Sequence, residues 1–297
     1  ATIGEGGYCW YNGGEMLNHG VEITASWRQS VNKDFSYEIG LNVTAMKNKV
    51  TDLMDDIYYT WGGGNGIDKS VVGQPLGSWM GYKTDGVFHT QEEVDAYKAK
   101  YKISFGNPAV GRLRYVDTNG DGEISDRDRT WLGTDLPKAQ FGLNLAANWK
   151  NFDLSLFFNS IVRDAWNNAK YYTDFFPLWT GNHGTKLLDA ANAYQGYLQN
   201  GYYDSEIPAP SIDNPNSEGE GSEYYIEDGS FLRLKTLSLG YSLPKHIQNK
   251  LSLNNARIYF QAQNLFTITK YSGADPEGLG YPYALPRQYT FGIQFSF

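Results

Sequence analysis

Cysteine is almost absent from this 297-residue chain. Cys9 stands alone, so no internal disulfide is available and cohesion has to come from the sheet or from bound ions. Long hydrophobic runs are missing too: nothing approaches the roughly 18 consecutive apolar residues of a membrane-crossing helix. That excludes a helical membrane protein but not a barrel, whose apolar residues come at every second position. Basic charge is in deficit, with Lys+Arg 25 against Asp+Glu 33 and a net charge of -8, which leaves no basic stripe to neutralise phosphates and excludes nucleic acid as a partner. No positively charged leader with an apolar core stands at Ala1, so the expectation is that a leader was removed or that the chain starts inside a larger protein.

Catalytic constellations are lacking as well. His19, His89, His183 and His246 have no metal-protease spacing, there is no Gly-x-Ser-x-Gly, and Asp55-Asp56 sit in a polar loop where solvation explains them. A glycosidase pair is separable in sequence, yet nothing here singles one out. Gly62 to Gly66 has neither the preceding strand nor the following helix of a phosphate loop. The chain reads as no enzyme.

Aromatics and glycine are abundant: Tyr 23, Phe 15, Trp 8 and Gly 33. Their arrangement is clearest in the last eleven residues, where Tyr289, Phe291, Ile293, Phe295 and Phe297 alternate with Gln288, Thr290, Gly292, Gln294 and Ser296. One face of that strand is oily and the other wet. In a soluble sandwich the oily face meets a second sheet; in an outer-membrane barrel it meets lipid and the wet face lines a lumen.

The same alternation recurs along the chain, predicting strands near 20–29, 35–45, 139–149, 152–162, 231–243, 256–268 and 287–297. A short turn is expected at Ser30–Asp34, a two-residue turn at Lys150-Asn151, and a modest one containing Pro244. Residues 1–17 read as an outer-loop tail, and 46–138, 163–230 and 269–286 as outer loops. The first of these carries a short helix from Gln91 to Tyr101, with Val94, Tyr97 and Tyr101 on one face. Short turns and long loops therefore segregate to opposite ends, as in outer-membrane barrels. Each strand reads as having about the 9–11 residues a tilted crossing needs. Seven strands leave two open edges, so the expectation is part of a larger transmembrane antiparallel β-barrel, an all-β fold.

The sharpest local motif is Asp117-Thr-Asn119-Gly-Asp121-Gly122-Glu123-Ile124-Ser-Asp-Arg-Asp128. Oxygen-bearing side chains stand at loop positions 1, 3 and 5, with Gly at 6, a carbonyl at 7 and Asp at 12, the pattern that wraps Ca2+ or another hard cation. Asp117, Asn119, Asp121, Glu123 and Asp128 are the candidate ligands. The expected role is structural: to order a long loop with little apolar core of its own. Trp166, Tyr171, Tyr172 and Trp179 in the second long loop are candidates either for contact with a substrate or lid, or for packing their own loop.

Several blocks resemble one family. Asn18-His-Gly-Val-Glu22, Phe35-Ser-Tyr-Glu-Ile-Gly-Leu-Asn-Val43, Gly81-Tyr-Lys-Thr-Asp-Gly-Val-Phe88, Tyr115 to Gly122, Asp128-Arg-Thr-Trp-Leu-Gly133, Asn151 to Phe158, Gly229 to Tyr241 and Arg257 to Phe266 are similar, in residues and in order, to the SusC/RagA family of TonB-dependent outer-membrane transporters of Bacteroidetes. A terminal Phe297 on such a strand also resembles the sorting signal of Gram-negative barrels. The resemblance implies a barrel of about 22 strands with a plugged lumen. It further implies a TonB-contacting segment, a SusD-like lipoprotein lid, and import of oligosaccharides or peptides driven through TonB. Plug and TonB-contacting segment are expected to lie outside these residues. Two other readings share the composition: a secreted, calcium-stabilised carbohydrate-binding β protein, and a passive porin without plug or lid.

Overall fold

The computed structural model describes residues 13–53, 59–61, 68–167, 170, 174, 185–211, 215–278 and 283–297. The chain divides into two compact units, one of 1–19, 47–134 and 173–224, the other of 20–46, 135–172 and 225–297. They are called here the loop unit and the wall unit.

Seven strands form one sheet: β1 (Gly14–Asn32), β2 (Phe35–Leu53), β3 (Ala139–Trp149), β4 (Phe152–Val162), β5 (Phe231–Ser242), β6 (Asn255–Thr269) and β7 (Gln288–Ser296). They lie in chain order, each hydrogen-bonded to the next, and the ladders from β2 to β7 are antiparallel. Register converts the alternation of each strand into rows across the sheet. Ile39, Leu145, Leu156, Leu237, Ala262 and Tyr289 are successive cross-strand partners, as are Tyr37, Ala147, Leu154, Leu239, Phe260 and Phe291. Between these two apolar rows, facing the opposite way, runs Glu38, Ala146, Ser155, Ser238, Gln261 and Thr290. Near the two-residue turns an aromatic row begins, with Trp149 stacked on Phe152 and Phe152 packed on Tyr241.

Three expectations change. β1 begins at Gly14, inside the stretch read as a tail, and β2 continues to Leu53, well past Ala45. Lys47, Lys49 and Asp52 break the apolar alternation there, but two 19-residue partners satisfy each other's backbone groups whatever their side chains. At ~3.4 Å per residue each spans roughly 65 Å, about twice a bilayer core. The first turn narrows to Lys33-Asp34, because Ser30 to Asn32 remain in the ladder. Finally, two helices occupy segments read as irregular: α2 (Thr185–Asn200) and α3 (Lys245–Lys250), the latter inside the modest turn after Pro244.

The loop unit is built differently. Helix α1 (Gln91–Lys100) starts at Thr90, whose hydroxyl accepts from the Glu93 N–H, and it buries Val94 and Tyr97. Around it pack Tyr82, Val87, Phe88, Leu113, Tyr115 and Ile124 from the first excursion, with Tyr203 and Ala209 from the second. Arg112 and Glu218 form a buried ion pair at 3.1 Å, and Glu218 also accepts from the Leu113 N–H. The expectation that the first excursion has little apolar core is therefore overturned. Strands of only two to four residues, each contributing one or two core side chains, hide that core from any periodicity.

Candidate functional site

The inner face of the wall unit is polar, and its charges are concentrated at two levels. Near the turns, Arg257 on β6 reaches across β5 to Asp153 on β4, with Nε to Oδ1 at 3.0 Å. The pair passes over Gly240, where a Cβ would meet both side chains. Tyr259 lies likewise across Gly292. Two rows of amides and hydroxyls follow, including Asn144, Ser155, Thr236, Ser238, Gln261 and Gln263.

At the opposite rim stands a second cluster, which the sequence did not single out. A bulge between Leu234 and Thr236 gives β5 one residue more than β4, and β6 one more than β5, so that Arg233, Lys235 and Thr236 share the inner side. Arg233 is almost fully buried and donates to Asp275 at 2.7 Å, Glu277 at 2.6 Å and Thr267 at 2.8 Å. Lys235 donates to both oxygens of Glu277 at 2.7 Å. Asp275 also accepts from the N–H groups of Glu277 and Leu285. Burial alone raises its pKa, but the Leu285 N–H, Arg233 and the Glu277 N–H outweigh that and hold the carboxyl below its ordinary range.

In the loop unit, 117–128 folds as a ladder of side-chain-capped turns. Asp117 accepts from the N–H groups of Gly120 at 2.6 Å and Gly122 at 2.9 Å, Asn119 from Asp121 at 2.8 Å, and Asp121 from Glu123 at 2.8 Å. Gly122, at φ +77, permits the sharp turn. Asp117 is held below the usual carboxylate range because these N–H bonds outweigh its desolvation. Asp128 is buried, accepting from the N–H groups of Thr118 and Ser125 at 2.9 Å each. The side chain of Glu123 turns away to Lys102 at 3.1 Å and to Ser104, so of its atoms only the carbonyl is left for the loop. Among the described residues no three carboxylate, histidine or cysteine side chains converge as a metal cluster. The all-oxygen donor set suits a hard cation, but the geometry brings together Asp117, Asn119 and Asp121 only as neighbours in a turn.

Trp166 is buried and stacks on Tyr225 at 5.4 Å between ring centroids, in a strand paired with Ile226–Asp228. Of the two readings weighed for it, packing is the one its surroundings match. Tyr171, Tyr172 and Trp179 lie outside the described residues.

No family model matches the chain. TonB-dependent receptor P3 of Formosa agariphila is 31% identical over 308 residues, covering 96% of this chain and 29% of the receptor. TonB-dependent receptor SusC of Bacteroides thetaiotaomicron is 28% identical over 293 residues, covering 96% and 27%. Among solved structures, the RagAB peptide transporter superposes with a TM-score of 0.72 at 25% identity, over 96% of this chain and 29% of that one. The chain thus spans less than a third of the length of these relatives, and its sheet matches the barrel of a transporter. These relatives are receptors and transporters, not enzymes.

Proposed function

We propose, taking as premise that this chain belongs with the TonB-dependent receptors of the SusC and RagA kind, that it supplies part of the wall of an outer-membrane importer. The observation carrying this reading is the exposure of large hydrophobics along one face of the sheet. Ile39, Leu41, Phe141, Leu239, Ile258 and Phe291 all stand open on it. A continuous apolar face of this size needs a cover, and a bilayer covers it without a second sheet. The two-residue turns then lie on the periplasmic side.

In that arrangement the rest of the barrel pairs with the edges of β1 and β7, and a plug and TonB-contacting segment belong to the part of the receptor outside this chain. A SusD-like lipoprotein caps the outer side, and the cargo is an oligosaccharide or a peptide. The peptide class draws support from the RagAB peptide transporter, the carbohydrate class from the aromatic content. A secreted carbohydrate-binding protein is disfavoured by the same open apolar face, and a passive porin by the TonB-dependent relatives.

Purification of the full receptor tests the reading. It is expected to need detergent, to run faster on gels before heating than after, and to bring a lipoprotein with it. A monodisperse, detergent-free species contradicts it. Calcium at 117–128 is a separate proposal, supported by the oxygen donor set and the turn at Gly122. Chelation or Asp121→Ala then speeds hydrogen exchange over residues 105–135, while unchanged protection removes the cation from the account.

A further inference from the structure

The segment Tyr271–Gly278 does not extend from the rim as a free loop. Arg233 is the cross-strand partner of Asn159 and of Thr267, which places it on the inner side of the wall, opposite the exposed Leu232 and Ile268. Among the described residues, the polar groups that grip the segment stand on that side or at the rim. Arg233 and Lys235 take Asp275 and Glu277, and Arg163 donates to the carbonyls of Pro276 at 2.6 Å and Glu277 at 3.0 Å. At the other end Ser272 donates through its N–H and hydroxyl to Glu227, at 2.8 and 2.7 Å, and Lys170 stands 3.6 Å from the same carboxylate. Tyr271 and Asp275 are buried as a result.

We propose that Tyr271–Gly278 is a fixed constriction, folded over the rim onto the inner wall, which narrows the outer mouth and limits the size of solute that reaches the wall below it. This rests on the reading of the sheet as part of a barrel. Lifting the segment breaks the bonds of Arg233 to Asp275 and Glu277, of Lys235 to Glu277 and of Arg163 to two carbonyls together, a linked and largely desolvated set that costs more to open than a single surface pair. That distinguishes a fixed element from a lid. The gap between segment and wall is about 200 Å³, lined by Arg233, Thr267, Asp275, Leu285 and Arg287 among others. It falls short of the roughly 300–1,000 Å³ of ligand sites, so an oligomeric cargo passes on the open side of the segment and not beneath it.

The test uses the full receptor in outer membranes, in a background with every cysteine replaced, Cys9→Ser among them, with Thr236→Cys as an inner-face reporter below the segment. A small charged thiol reagent and a bulky polymer-linked maleimide are added from outside. In the otherwise native receptor the small reagent labels and the bulky one does not. In Asp275→Asn/Glu277→Gln, hydrogen exchange over 271–278 is expected to rise, bulky labelling to increase by an order of magnitude, and small-reagent labelling to change little. If that double variant fails to assemble, Glu277→Gln alone gives the same shift in weaker form. Exchange that stays unchanged overturns the latch; faster exchange with unaltered size discrimination overturns the constriction. Leu237→Cys separates these failures from that of the barrel itself. If an aqueous reagent labels it as fast as Thr236→Cys, the wall has no lipid face.

Discussion

Phe88 and Phe291 are the same residue in opposite circumstances. Phe88 in the loop unit is 0% exposed, edge-on to Tyr97 at 5.0 Å, whereas Phe291 in the wall unit is 80% exposed. The difference runs through both units: one has an aromatic and aliphatic interior closed by a buried Arg112–Glu218 pair, the other turns its apolar rows outward. Each unit follows the same physics in a different solvent. Water forces the loop unit to hide its rings; on the proposed reading, hydrocarbon lets the wall unit display them.

The contrast predicts unequal penalties for the same truncation. Phe88→Ala should cost about 3–5 kcal/mol, transfer plus cavity, read as denaturant stability of the loop unit. Phe291→Ala should cost only the transfer part, roughly 1.5–3 kcal/mol, because lipid refills the space. Equal penalties would erase the distinction between the units. Next in size, Leu145→Arg should cost about 2–4 kcal/mol if its row lies near the bilayer midplane, while Asn144→Arg, its neighbour on the inner face, should be tolerated. Folding titrations into vesicles would show it.

Acid sharpens the comparison at the rim. Asp275 is held below its ordinary pKa, so its stabilisation is present above the unfolded value of about 3.9 and is lost as pH falls through the lower folded value. Exchange protection of 271–278 should therefore stay constant from about pH 8 to 5 and fail only below roughly pH 4. Smallest of all, Gly240→Ala should displace Arg257 from Asp153 and cost less than about 1 kcal/mol, because that pair is partly exposed.

The wall was legible because its strands repeat with a period of two and its turns carry local signals. The pair 139–149 and 152–162 shows this best: Lys150, at φ 53, closes a two-residue turn between two clean alternations. In β5 the apolar parity changes from even at Leu232 and Leu234 to odd at Leu237 and Leu239, which is the sequence signal of the bulge. α2 has its own signal in a run of Leu187, Leu188, Ala190, Ala191, Ala193 and Tyr197 free of proline. The Arg233–Asp275 cluster was not legible at all, since it joins residues 42 apart that only the sheet register brings together. The outward reach of β2 to Leu53 was hidden by its lysines. In the loop unit, Asp117 to Asp128 was readable as a tight oxygen-rich turn, and the core beneath it was not.

The most direct measurement places single fluorescent labels at Leu145 and Phe291, and at Asn144 and Thr290, in the full receptor reconstituted into vesicles with brominated lipid chains. Leu145 and Phe291 should be quenched by the bromines and spared by an aqueous quencher, with the reverse for Asn144 and Thr290. Labels at Leu145 and Phe291 that neither quencher reaches would mean that protein, not hydrocarbon, covers that face.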